Sequence, residues 1–178
     1  MRYQSAMTLP ELMLALAVLA IVVATAVPAL DSVLLNIRMS NSVNELIHSL
    51  YNARQNTNAT GISTALCGSV DGLQCSISSN WAQGWLLFTN NDDDEPPQID
   101  PGEGLLAGGT WAAPLHLSAN RMAFITRPFG LRSTNGTLVW CDRRGAAHAR
   151  AVIISFTGKP RISTTTASGA ALRCPDMS

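Results

Sequence analysis

From Leu12 to Leu30, nineteen consecutive residues carry no charge, and a single acid, Glu11, stands at their head. At about 1.5 Å rise per residue, a helix of that length spans roughly 28 Å, close to the hydrocarbon core of a bilayer. A carboxylate at the start of such a run is costly in lipid unless it gains a partner. A secretory signal would instead show a basic leader, a shorter apolar core and a small-residue cleavage site. Ala24-Thr25-Ala26 offers such a site, so both readings stand at this point.

After Pro28, where a helix interior would kink, the pattern changes. Val33, Leu34, Ile37, Val43, Leu46, Ile47, Leu50 and Tyr51 recur at three- and four-residue spacings, which predicts an amphipathic helix. Gly61 is placed to stop it, near Asn58 to Gly61. The spacing predicts one long helix, membrane-embedded in its first half and packed on a sheet in its second.

Beyond it, short β-type runs are bounded by Gly, Asn and Pro: 62–67, 84–89, 115–118, 122–126, 137–141, 150–156 and 161–165. Asn90 to Gly104 reads as a polar loop with three prolines. One helix followed by seven strands predicts an α+β domain whose helix packs on an antiparallel sheet or small sandwich. The chain of 178 residues, 47% apolar, has room for one such domain of modest core.

Cys67, Cys75, Cys141 and Cys174 all follow the apolar run. An even count in an exported domain predicts two disulfides, with three connectivities open. Loop closure favours the short Cys67–Cys75 pair. A hairpin of 137–141 with 150–156, and a second reversal near Gly158, would bring Cys174 back to Cys141. The spacings lack the paired CxxC of a zinc site, so no metal is expected there. Asp92, Asp93, Asp94 and Glu95 are consecutive and lack an EF-hand's alternation and glycine, so a solvated loop is expected rather than calcium.

Net charge is zero, yet its distribution is not even. From Gln55 to Asn120 there is no Lys or Arg, and seven acids fall there. From Arg121 to Arg173, eight Arg and Lys159 face Asp142 alone. Such an excess fits a polyanionic partner. Within it, Gly158 permits a turn and Pro160 holds Lys159 extended. Lys159 and Arg161, two apart, would then project to one side as paired cations suited to phosphates rather than base edges. Arg143 and Arg144 fall at the predicted hairpin turn. The Cys141–Cys174 bridge would bring Arg173 beside them, roughly 25 Å from Lys159 and Arg161 by strand rise. His48, His116 and His148 form no motif with a nucleophile, and GxSxG, P-loop and HExxH signatures are missing. No enzyme and no cofactor is expected.

The start of the chain, with Thr8-Leu9-Pro10-Glu11-Leu12 before the apolar run, resembles the processing and assembly signal of type IV pilins and pseudopilins. The resemblance implies a leader of residues 1–6 and cleavage by prepilin peptidase between Ala6 and Met7, with N-terminal methylation. Ala6 stands where Gly is usual. It also implies that the new amine of Met7 pairs with Glu11 of a neighbouring subunit. Residues 7–30 would form the membrane and assembly helix, 31–60 the amphipathic helix and 61–178 a periplasmic head.

Further along, Trp81-x2-Gly84-Trp85-x2-Phe88, the acidic loop, Cys141 and Ser155-Phe156-Thr157-Gly158-Lys159-Pro160-Arg161 are similar to the GspH/FimT family. Gly158-Lys159-Pro160-Arg161 resembles the Gly-Arg-x-Arg element of FimT proteins, which bind DNA during uptake by competent bacteria. Lys159 replaces the first Arg, and with it bidentate recognition at that position is lost. The implied partners are DNA, other major and minor pilins, and the inner membrane before assembly into a pilus at the cell surface. The alternative within the resemblance is a structural minor pilin or type II secretion pseudopilin that primes filament assembly without DNA.

Overall fold

The computed structural model describes residues 8–76, 78, 81–111 and 115–174. The leader and the Ala6–Met7 junction lie outside the described residues. The chain divides into two compact units, Met1–Ile37 and Arg38–Ser178.

Helix α1 (Leu9–Thr60) begins with half of a capping box, Glu11 reaching back to Thr8. The Thr8 backbone N–H and its hydroxyl both donate to Glu11 Oε2, at 3.1 and 3.0 Å. Pro10 sits in the first turn, where its missing N–H costs nothing. From Leu9 to Leu34 the large apolar side chains that are described are exposed, and the helix is long and apolar enough to cross a membrane. Its polar side chains bond back to the helix, Thr25 Oγ1 to Val22 O at 3.0 Å and Ser32 Oγ to Ala29 O at 2.8 Å. The helix continues without a break through position 28.

In the C-terminal unit, α1 buries Met39, Val43, Leu46, Leu50, Ala53 and Thr57, an alternating four-and-three stripe. This stripe is offset from the expected one, because Tyr51 is exposed and Ile47 only partly buried. The small residues at 53 and 57 explain the offset. They let the first strand approach until Thr57 Oγ1 and Thr64 Oγ1 lie 3.0 Å apart. Gly61, at φ 73°, ends the helix and donates its N–H to Thr57 O at 2.9 Å.

Among the described residues eight strands follow: β1 (Ser63–Gly68), β2 (Gly84–Asn90), β3 (Leu105–Thr110), β4 (His116–Ala119), β5 (Ala123–Thr126), β6 (Gly136–Cys141), β7 (Arg150–Ile154) and β8 (Pro160–Ser163). They form two antiparallel sheets, ordered β3-β2-β1-β5 and β4-β6-β7-β8. Seven match the expected runs. The eighth, β3, lies next to the polar loop and was not expected. Its Leu-Leu-Ala-Gly-Gly-Thr sequence has no alternation, and its glycines make room for β2. A Cβ at Gly108 would lie 2.9 Å from Leu86 Cδ2, and one at Gly109 would lie 3.3 Å from Trp85 Nε1.

The core joins the α1 stripe to one face of each sheet, through Leu66, Trp85, Leu87 and Phe124 on one and Leu117, Leu138, Trp140 and Val152 on the other. Trp111 links them, stacked on Trp85 at 6.1 Å and edge-on to Trp140 at 5.9 Å, with its Nε1 donating to Trp81 O at 2.7 Å. Each sheet's outer face carries a smaller core of its own. Ala65, Cys67, Leu86, Phe88 and Ile125 are covered by Cys75 and Ile99, and Cys141, Ala149 and Ala151 by Leu172 and Cys174. Two disulfides, Cys67–Cys75 and Cys141–Cys174, fasten these covers.

Candidate functional site

β7 and β8 are joined by a tight turn. Gly158, at φ 69°, donates its N–H to Ser155 O at 2.9 Å, and Lys159 N–H bonds Ser155 Oγ at 3.2 Å. A side chain at 158 would be strained by that φ and would meet Ser133 Oγ at 3.3 Å and Arg54 Cδ at 3.6 Å. Gly158 therefore shapes the site and lets neighbouring segments close on it. Beyond it, Lys159 and Arg161 are exposed on either side of buried Pro160. Arg161 pairs in register with Ile153, on a strand at the edge of its sheet.

The second basic group divides in two. Arg143 is exposed. Arg144 turns inward onto Asp142, donating from Nη2 to Oδ2 at 2.6 Å, from Nε at 3.1 Å to Oδ1, and from its backbone N–H at 2.9 Å. Their side chains are 16% and 0% exposed. Burial pushes the Asp142 carboxyl up, but the bonds and charge of Arg144, with His148 beyond, outweigh that and hold it below the usual carboxylate range. Arg144, expected among the phosphate contacts, is thus bonded within its own loop. Arg173 is exposed beside Cys174, whose bridge to Cys141 ties the tail to the strand end that leads into Arg143.

On the acidic loop, Asp92, Asp94 and Asp100 bring carboxylate oxygens within 4.8 Å of one another. One oxygen of Asp94 accepts Gln98 N–H at 3.0 Å. Burial, with Asp92, Glu103 and Asp100 nearby, raises the Asp94 carboxyl above its usual range. His48, His116 and His148 are exposed on three separate elements.

The structure adds cations that sequence spacing did not join to Lys159. A cleft of about 510 Å³ is lined by Lys159, by Arg54 from the end of α1, and by Arg127 and Arg132 from the loop after β5. Phe129 and Phe156 line it too. Arg54 lies over a hundred residues before Lys159, so only the fold brings them together. The available sequence signals were the arginine-rich stretch after Arg121 and the Pro128-Phe129-Gly130 turn.

Comparison with known proteins bears on both ends of the chain. Residues 42–158 match the family of the type II transport protein GspH, and residues 1–27 match the prokaryotic N-terminal methylation motif. Two crystal structures of the type IV minor pilin FimU from Pseudomonas aeruginosa strain PAO1 are similar in fold. The one in space group P65 has a TM-score of 0.51 at 14% identity, covering 70% of this chain and 91% of that one. The one in P21 has a TM-score of 0.53 at 17% identity, covering 79% and 97%. No curated protein sequence matches. With the family match spanning most of the chain and the methylation motif at the head of its apolar helix, the chain belongs to the GspH family as a membrane-anchored type IV minor pilin or pseudopilin.

Proposed function

We propose that this protein is a minor pilin of the FimT kind that binds DNA without regard to sequence and supports its uptake in natural transformation. It is held in the inner membrane with a periplasmic head until prepilin peptidase cuts before Met7, and it then joins other pilins in or near a pilus. The observation that carries the DNA reading is the exposed pair Lys159, in the turn before β8, and Arg161, on that edge strand, within a stretch where basic residues outnumber Asp142 nine to one. Exposed cations without base-reading geometry favour phosphate contacts. Arg143 and Arg173 extend the basic surface.

The test is a gel-shift with the full-length chain in detergent. For about three to five neutralised phosphates, the log–log salt slope on duplex DNA should be roughly −3 to −4.5. Changing both Lys159 and Arg161 to Gln should weaken binding and uptake and make the slope shallower, with the fold intact because both side chains are exposed. Unchanged binding and slope in that variant would remove the site. No binding by the wild type at low salt would favour the second reading, a subunit that primes filament assembly, which the type II transport description of the family supports.

A further inference from the structure

The cleft beside Lys159 combines two chemistries. Arg54, Arg127, Arg132 and Lys159 supply positive charge from three separate segments, and no acid is among the described lining residues. Glu95, which pairs with Arg127, comes from the acidic loop. The aromatic component is more unusual. Phe129 is fully exposed, although burying such a side chain typically gains about 1.5–3 kcal/mol. Phe156 is half exposed and carries the Arg132 guanidinium 4.1 Å above its ring.

Phe129 is presented on a fixed turn. Leu131 N–H donates to Pro128 O at 3.1 Å across Phe129 and Gly130, and Gly130 takes the positive φ, 91°, that a type II turn needs. The base of the loop is tied down by Arg127 N–H to Ser133 Oγ at 3.0 Å and by Ser133 N–H to Phe156 O at 2.9 Å. A ring held out in this way, among cations, matches how proteins hold single-stranded nucleic acid: charge follows the backbone and a base stacks on the aromatic face. A duplex hides its base faces and cannot use Phe129. An apolar protein anchor docking here would bury several cations without counter-charge, which is costly.

We infer that this cleft takes an unpaired stretch of DNA, with phosphates against Arg54, Arg132 and Lys159 and a base stacked on Phe129. The inference rests on the DNA reading above and adds to its phosphate contacts a site for strand ends or single strands.

The experiment uses the full-length chain in detergent with three probes carrying equal numbers of phosphates: an oligothymidylate, an abasic strand and a duplex. Stacking of one base should make the oligothymidylate bind about 5- to 150-fold tighter than the abasic strand. Phe129→Leu, which keeps an apolar side chain and removes the ring, should abolish that ratio while leaving abasic and duplex binding unchanged. Phe129→Tyr should restore it. Equal wild-type affinity for thymidylate and abasic strands, or a ratio that survives Phe129→Leu, overturns the stacking inference. The DNA reading then stands so long as the Lys159 and Arg161 double variant still weakens binding to the probes. Loss of a pilin contact in Phe129→Leu with no change in DNA binding would assign the cleft to subunit packing instead. Failure of the wild type to bind any probe overturns both readings.

Discussion

Arg143 and Arg144 are adjacent in sequence, yet the fold gives them different surroundings, one exposed and the other closed over a fully buried carboxylate. Removing one partner of a buried pair leaves the other charged and uncompensated. Arg144→Gln is therefore expected to destabilise the head by about 3 kcal/mol, measured by chemical denaturation at neutral pH. The pH dependence has a definite sign. The folded pKa of Asp142 is depressed, so its contribution is fully present above the ordinary aspartate value and is lost as pH falls through the folded value. Arg144→Gln should flatten the acid limb of the stability profile, and a parallel shift of the whole curve would refute this role. Sequence alone could place Arg144 at a turn but not say which way it points. That depended on Asp142 being enclosed.

At the scale of elements, much of the fold is legible because burial imposes periodicity. Seven strands are legible as short runs bounded by Gly, Asn and Pro, and the end of α1 at Gly61 from glycine's tolerance of positive φ. β3 was hidden because glycines 108 and 109 replace side chains to admit Leu86 and Trp85, which erases the pattern. The helix stripe is only partly legible because Ala53 and Thr57, too small to register as an apolar face, are buried where β1 approaches the helix. The cleft was illegible for another reason: its walls are assembled from distant segments. The two bridges were legible from strand reversal and loop length, and they differ in expected weight. The span of 33 residues for Cys141–Cys174 exceeds the 8 for Cys67–Cys75. In the chain-entropy account this makes the longer bridge worth about 3.7 kcal/mol and the shorter about 2.5. Replacing Cys141 and Cys174 by Ser should lower the melting temperature more than replacing the other pair, and should speed proteolysis around Leu172 first. The reverse order of melting temperatures would count against this weighting.

For the whole molecule, the N-terminal motif and the family match make processing the first thing to check. Mass spectrometry should find a mature chain beginning at Met7. An N-terminus near Val27 would mark a secreted protein and is the outcome that would sink the pilin reading. Glu11→Ala should impair incorporation into filaments more than membrane insertion, since the apolar run from Leu12 is untouched. It also removes the Glu11 bond to the Thr8 N–H, so the Glu11→Gln variant, which can still accept from that N–H, separates loss of charge from loss of this bond. The arrangement of the head carries a consequence for how such a sequence can drift. The α1 stripe and the inner faces of both sheets depend on one another, whereas the segments over the outer faces are each clasped by a single covalent link. Insertions and changes of length should accumulate in those outer segments, between Ser69 and Gln74 and between Thr164 and Arg173. One ancestral frame can thus be dressed with different surfaces while its interior stays almost unaltered.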